Sequence, residues 1–429
     1  MKISLIAERA SHRAAPRSPR RTAGAAPRRG RGATLQTQGR TGGAAPQAGP
    51  HHGRRATLRT ARAARCGRFS YAGRVTRGRG RIAGLLVACL VATGCGDDAP
   101  TPAPSPTGSP PTAAPASPSP SPTAPAEITL AFGGDVHFTG RTARLLREPA
   151  KAFGGAIPLL SNADLAIVNL ETAVTTRGKP EPKQYLFRAP TSTYAALRGA
   201  GIDAVSLANN HALDYGQIAL LDTLDSARRE AFPVFGAGRN ATEAHRPWIT
   251  EVRGVRVAVL GFSQIRMLAS TWAARDDRPG IAMAWDVERA TAAVSAARRD
   301  ADLVIVFNHW GQEGNECPTA DQKRFAGRLA AAGADIIVGT HAHTLQGDGW
   351  LGKTYVAYGL GNFLWYGNSA STQTGVLRLT VRGRQVVRNE FVPAVVSGTG
   401  QPQPLTGAAA KRQRDRFAAL RECTGLSGR

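Results

Sequence analysis

The sequence predicts an α/β fold, with β-sheets covered by helices, over residues 127–395, and three observations carry that expectation. Short runs rich in β-branched and aliphatic residues alternate with helix-like segments. Five of those runs end on Asp, Glu, Asn or His. At residue 127 the composition changes abruptly, from Arg- and Pro-rich segments to the mixed apolar texture of a core.

The segments before residue 127 build no core. Of the 55 Lys and Arg in the 429-residue chain, twenty lie in residues 1–94 against one acid, Glu8. That stretch therefore carries +19 of the net +25, and the remaining 335 residues carry +6. A nucleic-acid-binding reading fails on this location, because the basic excess is confined to a segment without a folding pattern. Residues 1–74 are read as a disordered extension ahead of a true start at Val75, with a basic arm or targeting region as the alternative. Residues 75–94 place Arg77, Arg79 and Arg81 before the apolar stretch Ile82–Ala92, whose length suits a secretory signal and not a membrane span. The "ATGC" that follows resembles the lipobox of bacterial lipoproteins, with Cys95 as the lipidated residue and Ala92 where Leu is usual. Ordinary secretory cleavage is the alternative. Residues 95–126 alternate Pro with Ser, Thr and Ala and predict an extended tether. Together these segments predict an exported protein held at the outer face of the cell membrane by lipid or, alternatively, secreted.

Within the folded part, strands are expected at Ile128–Phe132, Leu165–Asn169, Ala204–Leu207, Val255–Gly261, Leu303–Phe307, Ile336–Gly339, Thr354–Tyr358 and Val376–Val381. Helices are expected at Thr193–Ala200, Gly216–Glu230, Val287–Arg299 and Ala320–Ala332. The last is framed by Pro318 and Thr319 at its start and Gly333 at its end. The runs from Thr374 to Val395 have no intervening helix and predict hairpins. Residues 396–429 are read as a C-terminal tail with a short helix. Of the five cysteines, Cys66 and Cys89 fall in the processed segment and Cys95 carries lipid. Cys317 and Cys423 are candidates for a bridge in an oxidising compartment, with two free thiols as the alternative.

The polar residues at the strand ends carry the chemistry. "ITLAFGGDVHF" ends on Asp135 and His137, and "LAIVNLE" on Asn169 and Glu171. "AVSLANNHALD" gives Asn209, Asn210, His211 and Asp214. "LVIVFNHWG" gives Asn308 and His309, and "DIIVGTHAHT" gives His341 and His343. In open α/β sheets the carboxyl ends of the strands form the rim where ligands bind. Carboxylate, amide and imidazole donors without thiolate suit hard or borderline divalent ions. A pair of such ions clamps the attacking and leaving oxygens of a phosphoryl transfer. Each motif alone has a plainer reading: "NNH" fits a turn, Asp214 fits a cap for the helix that follows, and His245 fits a solvated loop. Five clusters at five strand ends are what point to a metal centre.

In that order, "GDVHF", "NLE", "SLANNHALDYG", "NHWGQE", "GTHAH" and "YGLGNF" resemble the CapA family of bacterial poly-gamma-glutamate capsule synthesis proteins, related to the calcineurin-like metallophosphoesterases. The resemblance runs from about Ile128 to Phe363. His137 departs from the family's usual pattern toward the phosphoesterase form "GDxH". The resemblance implies a four-layer α/β/β/α sandwich and two divalent ions, manganese first, with iron or zinc as alternatives. It implies that Asp135, His137 and His343 hold one ion and that Asn210, His309 and His341 hold the other. Glu171 would bridge them, where the phosphoesterases carry Asp. His211 would be the catalytic group at the leaving oxygen, with Asn209 and Asn362 orienting ligands from behind. Lys183 and Arg188, in the long loop after Glu171, fit ordinary exposed basic residues, with contact to an anionic substrate as the alternative.

Three functions follow as expectations. One is a CapA-like envelope lipoprotein that works in the synthesis of poly-gamma-glutamate or another surface polymer by metal-dependent phosphoester hydrolysis. The second is a metal-dependent phosphoesterase unrelated to capsule. The third is a non-enzymatic binding lipoprotein. The implied partners are an anionic envelope polymer or a phosphoester, the membrane through the anchor, and capsule synthesis membrane proteins. Nucleic acid is not among them.

Overall fold

The computed structural model describes residues 126–367 and 371–429. The extension, the signal segment, Cys95 and all of the tether but Ala126 lie outside the described residues. Among the described residues no helix is long and apolar enough to cross a membrane.

Leaving aside two short two-stranded pairs, four strands come first: β1 (Glu127–Val136), β2 (Leu165–Leu170), β3 (Ala204–Ser206) and β4 (Val234–Phe235). Six follow: β5 (Trp248–Val252), β6 (Val255–Ser263), β7 (Leu303–His309), β8 (Ile336–Thr340), β9 (Leu345–Leu351) and β10 (Thr354–Leu360). Four more close the chain: β11 (Asn362–Leu364), β12 (Gln373–Arg382), β13 (Gln385–Val396) and β14 (Pro402–Pro404). The first and last groups share one sheet, ordered β14-β13-β12-β1-β2-β3-β4 with β11 beside the end of β1. The middle six form a second sheet, ordered β9-β10-β8-β7-β6-β5. β1 to β4 run parallel, as do β6, β7, β8 and β10, and the remaining edge strands of each sheet are antiparallel. The expected hairpin between Thr374 and Val395 is the β12–β13 pair.

Alternation along the strands sorts the residues into layers. Ile128, Leu130 and Phe132 of β1 and Ile167 of β2 face Val257, Val259, Ile305, Phe307 and Val338 of the second sheet, which makes the central apolar layer. Their neighbours Ala131, Ala166, Val168 and Val205 turn outward, against Tyr194, Ala196 and Leu197 of α1 (Ser192–Gly199) and Leu220 and Leu224 of α2 (Gln217–Arg229). On the second sheet Ala258, Leu260, Val304 and Val306 face Ala290, Val294 and Ala297 of α3 (Val287–Asp300) and Phe325, Ala326 and Leu329 of α4 (Ala320–Ala331). The result is helix, sheet, sheet, helix, the four-layer arrangement expected. Thr319 caps α4 in a reciprocal pair with Gln322, and Gly333 follows the helix at φ +108°.

Residues 396–429 are built into the same unit. β14 extends the first sheet, and α5 (Gly407–Ala419) stacks Phe417 on Phe391 at 4.1 Å. Ser427 pairs with Trp350 of β9, and a disulfide joins Cys317 to Cys423 with Cα atoms 5.7 Å apart.

Candidate metal centre

Both sheets deliver their parallel strand ends to one place. From the first come Asp135 at the end of β1, Glu171 just after β2, and Asn210 and His211 in the turn after β3. From the second come His309, the last residue of β7, and His341 and His343 after β8. Asp135 and Glu171 are fully buried, and His309 is 1% exposed. His309 Nε2 lies 2.6 Å from Asn210 Oδ1, 3.0 Å from His341 Nδ1 and 3.4 Å from Glu171 Oε1. Asp135 Oδ2 lies 3.4 Å from His343 Nδ1 and accepts the His341 backbone N–H at 3.1 Å. Among the described residues three groups have donor atoms within 4.8 Å of one another: Glu171 with His309 and His341; Asp135 with Glu171 and His343; and Glu313 with His341 and His343. Glu171 belongs to two of these groups, His341 and His343 likewise.

The local sequence makes this approach feasible. A Cβ on Gly134 would lie 1.9 Å from the Gly361 carbonyl oxygen, so only glycine lets Asp135 come this close to β11. A Cβ on Gly339 would meet the Tyr358 carbonyl oxygen at 1.9 Å and Trp310 Nε1 at 2.2 Å. Beyond it His341 and His343 both take the left-handed backbone, at φ +85° and +53°. Non-glycine residues adopt that region at a cost, one that functional sites often carry, although Ala231, Arg253 and Leu268 also take it away from the centre. Amides brace the donors from behind. Asn169 Nδ2 donates to Asp135 Oδ1 at 2.8 Å, and Asn209 Nδ2 to Asn169 Oδ1 at 3.0 Å. Asn362 Oδ1 lies 2.8 Å from His343 Nδ1.

The donor set fits divalent cations by its own polar accounting. Both ring nitrogens of His137 and both oxygens of Glu171 are buried without a hydrogen-bond partner. Buried polar atoms are otherwise almost always paired, and a lone carboxylate is the costliest exception. A cation takes up such lone pairs. Burial holds His137 and His341 well below the usual histidine range, leaving neutral rings with free lone pairs. His343 differs: burial pulls its pKa down, but the bond to Asp135 and the nearby Glu171 charge outweigh it and raise it to about 9. Burial acts to raise the Asp135 carboxyl, but its hydrogen bond with His343 and the nearby histidines hold it below its ordinary value. These clustered His, Glu and Asp side chains are suited to metal coordination and support a metal-dependent hydrolase.

Other site residues stand differently from expectation. His137 lies outside the three groups, its ring 4.5 Å from Phe187, 4.8 Å from Trp365 and 4.9 Å from Tyr366. Asp214 does not cap α2, whose N-cap is Gly216 without a side-chain bond. Its carboxylate is 2.6 Å from His211 Nδ1 instead. Lys183 is not offered to a substrate: its side chain is 4% exposed and pairs with Asp214 at 2.7 Å. Arg188 stacks over the Tyr215 ring at 4.4 Å. His245 is half-buried, its Nδ1 2.8 Å from the Ala241 carbonyl, and not solvated. Glu313, 3.9 Å from His343 Nε2, is a carboxylate the sequence reading did not single out, although it stands inside "NHWGQE". A cavity of about 570 Å³, lined by Phe187, His211, Glu313, His343, Trp365 and Tyr366 among others, opens over the donors. A larger one of about 870 Å³ beside Trp285 contains none of them.

Known proteins resemble this chain. The family described as "Bacterial capsule synthesis protein PGA_cap" matches residues 129–366. The capsule biosynthesis protein CapA of Bacillus anthracis is 29% identical over 296 residues, covering 67% of this chain and 72% of that one. The PGA biosynthesis protein CapA of Bacillus subtilis is 32% identical over 243 residues, covering 55% of this chain and 63% of that one. Among solved structures, a novel phosphatase from Mycoplasma pneumoniae is 15% identical with a TM-score of 0.41, covering 63% of this chain and 94% of that one.

Proposed function

The chain belongs to the bacterial capsule synthesis protein family PGA_cap, and from that membership we propose an exported, lipid-anchored hydrolase that cleaves a phosphoester during the making of a surface polymer such as poly-gamma-glutamate. The observation that carries the chemical part is the shared carboxylate Glu171, buried, without a hydrogen bond, and common to the Asp135–His343 and His309–His341 groups.

In this reading Asp135, His343 and, through its unpaired ring nitrogens, His137 would hold one cation, Asn210, His309 and His341 would hold the other, and Glu171 would be shared between them. When bound, the cations, manganese first, neutralise the charge that develops on the attacking and leaving oxygens. The chain's own residues do the rest. Asn169, Asn209 and Asn362 keep donors aimed at the centre. His211 Nδ1 is committed to Asp214, and its Nε2 is left open 3.9 Å from Glu171 Oε1, placed to accept a proton and return it to the leaving oxygen. The aromatic side chains Phe187, Trp365 and Tyr366 line the cavity beside these donors.

The test is turnover by the purified protein, stripped of metal and reloaded with manganese, on a phosphodiester, a phosphomonoester and poly-gamma-glutamate. Ester cleavage supports this reading. Cleavage of the polymer alone replaces it with amide chemistry, and metal retention without turnover on any of the three leaves a binding protein. Palmitate labelling lost in Cys95→Ala tests the anchor.

A further inference from the structure

The loop after Glu171 returns to the centre at residues 181–188 and is fastened to the turn that carries His211. The Glu181 N–H donates to the Asp214 carbonyl at 2.9 Å, and the Phe187 N–H to Asp214 Oδ2 at 2.5 Å. The Phe187 ring stacks on His211 with centroids 4.0 Å apart. Between these points Lys183 is driven inward against the Trp272 ring, 5.2 Å from its centroid. Its ammonium donates to Asp214 Oδ1 at 2.7 Å and to the Asn210 carbonyl oxygen.

A buried ion pair is poor value as a source of stability, since apolar residues of similar volume do as well or better. This pair is tied to geometry instead. Asp214 Oδ1 is taken by Lys183, so the carboxylate cannot rotate, and Oδ2 is left facing His211 Nδ1 at 2.6 Å. Lys183 Nζ also lies 3.2 Å from that nitrogen. The shorter contact decides the tautomer. With Asp214 ionised opposite the Lys183 ammonium, a lone pair on Nδ1 would face the lone pairs of Asp214 Oδ2 at 2.6 Å; with a proton on Nδ1, the contact is a charge-assisted hydrogen bond. Nε2 is then the open nitrogen, on the side of Glu171.

We propose that Lys183 is a positioning residue for His211: by gripping Asp214 it fixes the orientation and the tautomer of the ring. Its kinetic consequence rests on the hydrolytic reading above; its structural consequence does not. The full chain labelled with [15N]histidine and freed of metal reports the tautomer by two-bond proton–nitrogen correlations, with His211 identified by the signal missing in His211→Ala. The Nδ1–H form is expected in the wild type and in Lys183→Arg, and a mixture of forms in Lys183→Met. On the ester that the manganese-loaded protein turns over, Lys183→Met is expected to lower kcat about 10²-fold, the scale of a positioned proton-transfer group, with KM and metal content unchanged. Added to His211→Ala it is expected to cost nothing further, because both act through one ring. Should Lys183→Met fail to fold, Lys183→Gln keeps one donor in the same space and is expected to show a smaller loss of the same kind. A wild-type tautomer in Lys183→Met, or an equal loss of kcat with and without His211, overturns the proposal. If no ester is turned over, the hydrolytic reading falls and the tautomer alone decides the role of Lys183.

Discussion

Replacing Glu171 by methionine separates the metal role of this residue from its part in the fold. The Glu171 carboxylate is fully buried and neither oxygen has a hydrogen-bond partner. Leaving such a group unsatisfied costs about 1–3 kcal/mol, and methionine fills a similar volume without that demand. The metal-free Glu171→Met protein is therefore expected to be more stable than metal-free wild type by about 1–3 kcal/mol, or roughly 2–6 °C in Tm for a domain of this size. Manganese at a hundred times its Kd stabilises wild type by about 2.7 kcal/mol, and the variant is expected to gain nothing from it. Thermal melts of both proteins, with chelator and with manganese, give all four values. A variant that melts lower than wild type in chelator, or that still responds to manganese, refutes the account of Glu171 as an unsatisfied shared ligand.

His343→Ala is expected to remove one of two bound ions and most activity, since the two histidines of "HAH" are assigned to different cations; metal content by mass spectrometry checks it. His211→Ala is expected to keep both ions while kcat falls about 10²- to 10⁴-fold, and loss of metal in that variant moves His211 into the ligand set. Replacing Cys317 and Cys423 by serine opens a link across 106 residues and is expected to lower unfolding stability by about 2–5 kcal/mol in denaturant titrations, with metal content unchanged.

The centre was legible where several motifs spoke together, and less so where one residue had to be judged alone. Aliphatic runs ending on Asp, Glu, Asn or His marked the parallel strands, because buried parallel strands must be apolar until they reach the rim. The antiparallel edges were harder. β9, "LQGDGWL", carries two glycines and an aspartate, and β5 is short and partly exposed, so neither shows a strand period. Helix α5 runs longer than the short helix expected: "KRQRDRF" is mostly polar, and its anchors are Phe417, met by Phe391 from a strand, and Gln413, which donates to the Thr374 and Ala394 carbonyls. Asp214 and Lys183 were misread for a common reason. A carboxylate before a helix and a lysine in a loop have ordinary solvated roles, and only the folded chain shows that thirty-one positions apart they bury each other.

Every candidate ligand precedes residue 344, and the matched family region stops at 366. Yet β1, which carries Asp135, is flanked on one side by β2 and on the other by β12, with Glu127 opposite Arg382. A fragment ending at the family boundary would thus possess the complete set of donors and still leave β1 with a bare edge along most of its length. Motif content alone therefore overstates what a shortened relative can do: the last sixty residues give the cations nothing directly, and they hold in place the strand that does.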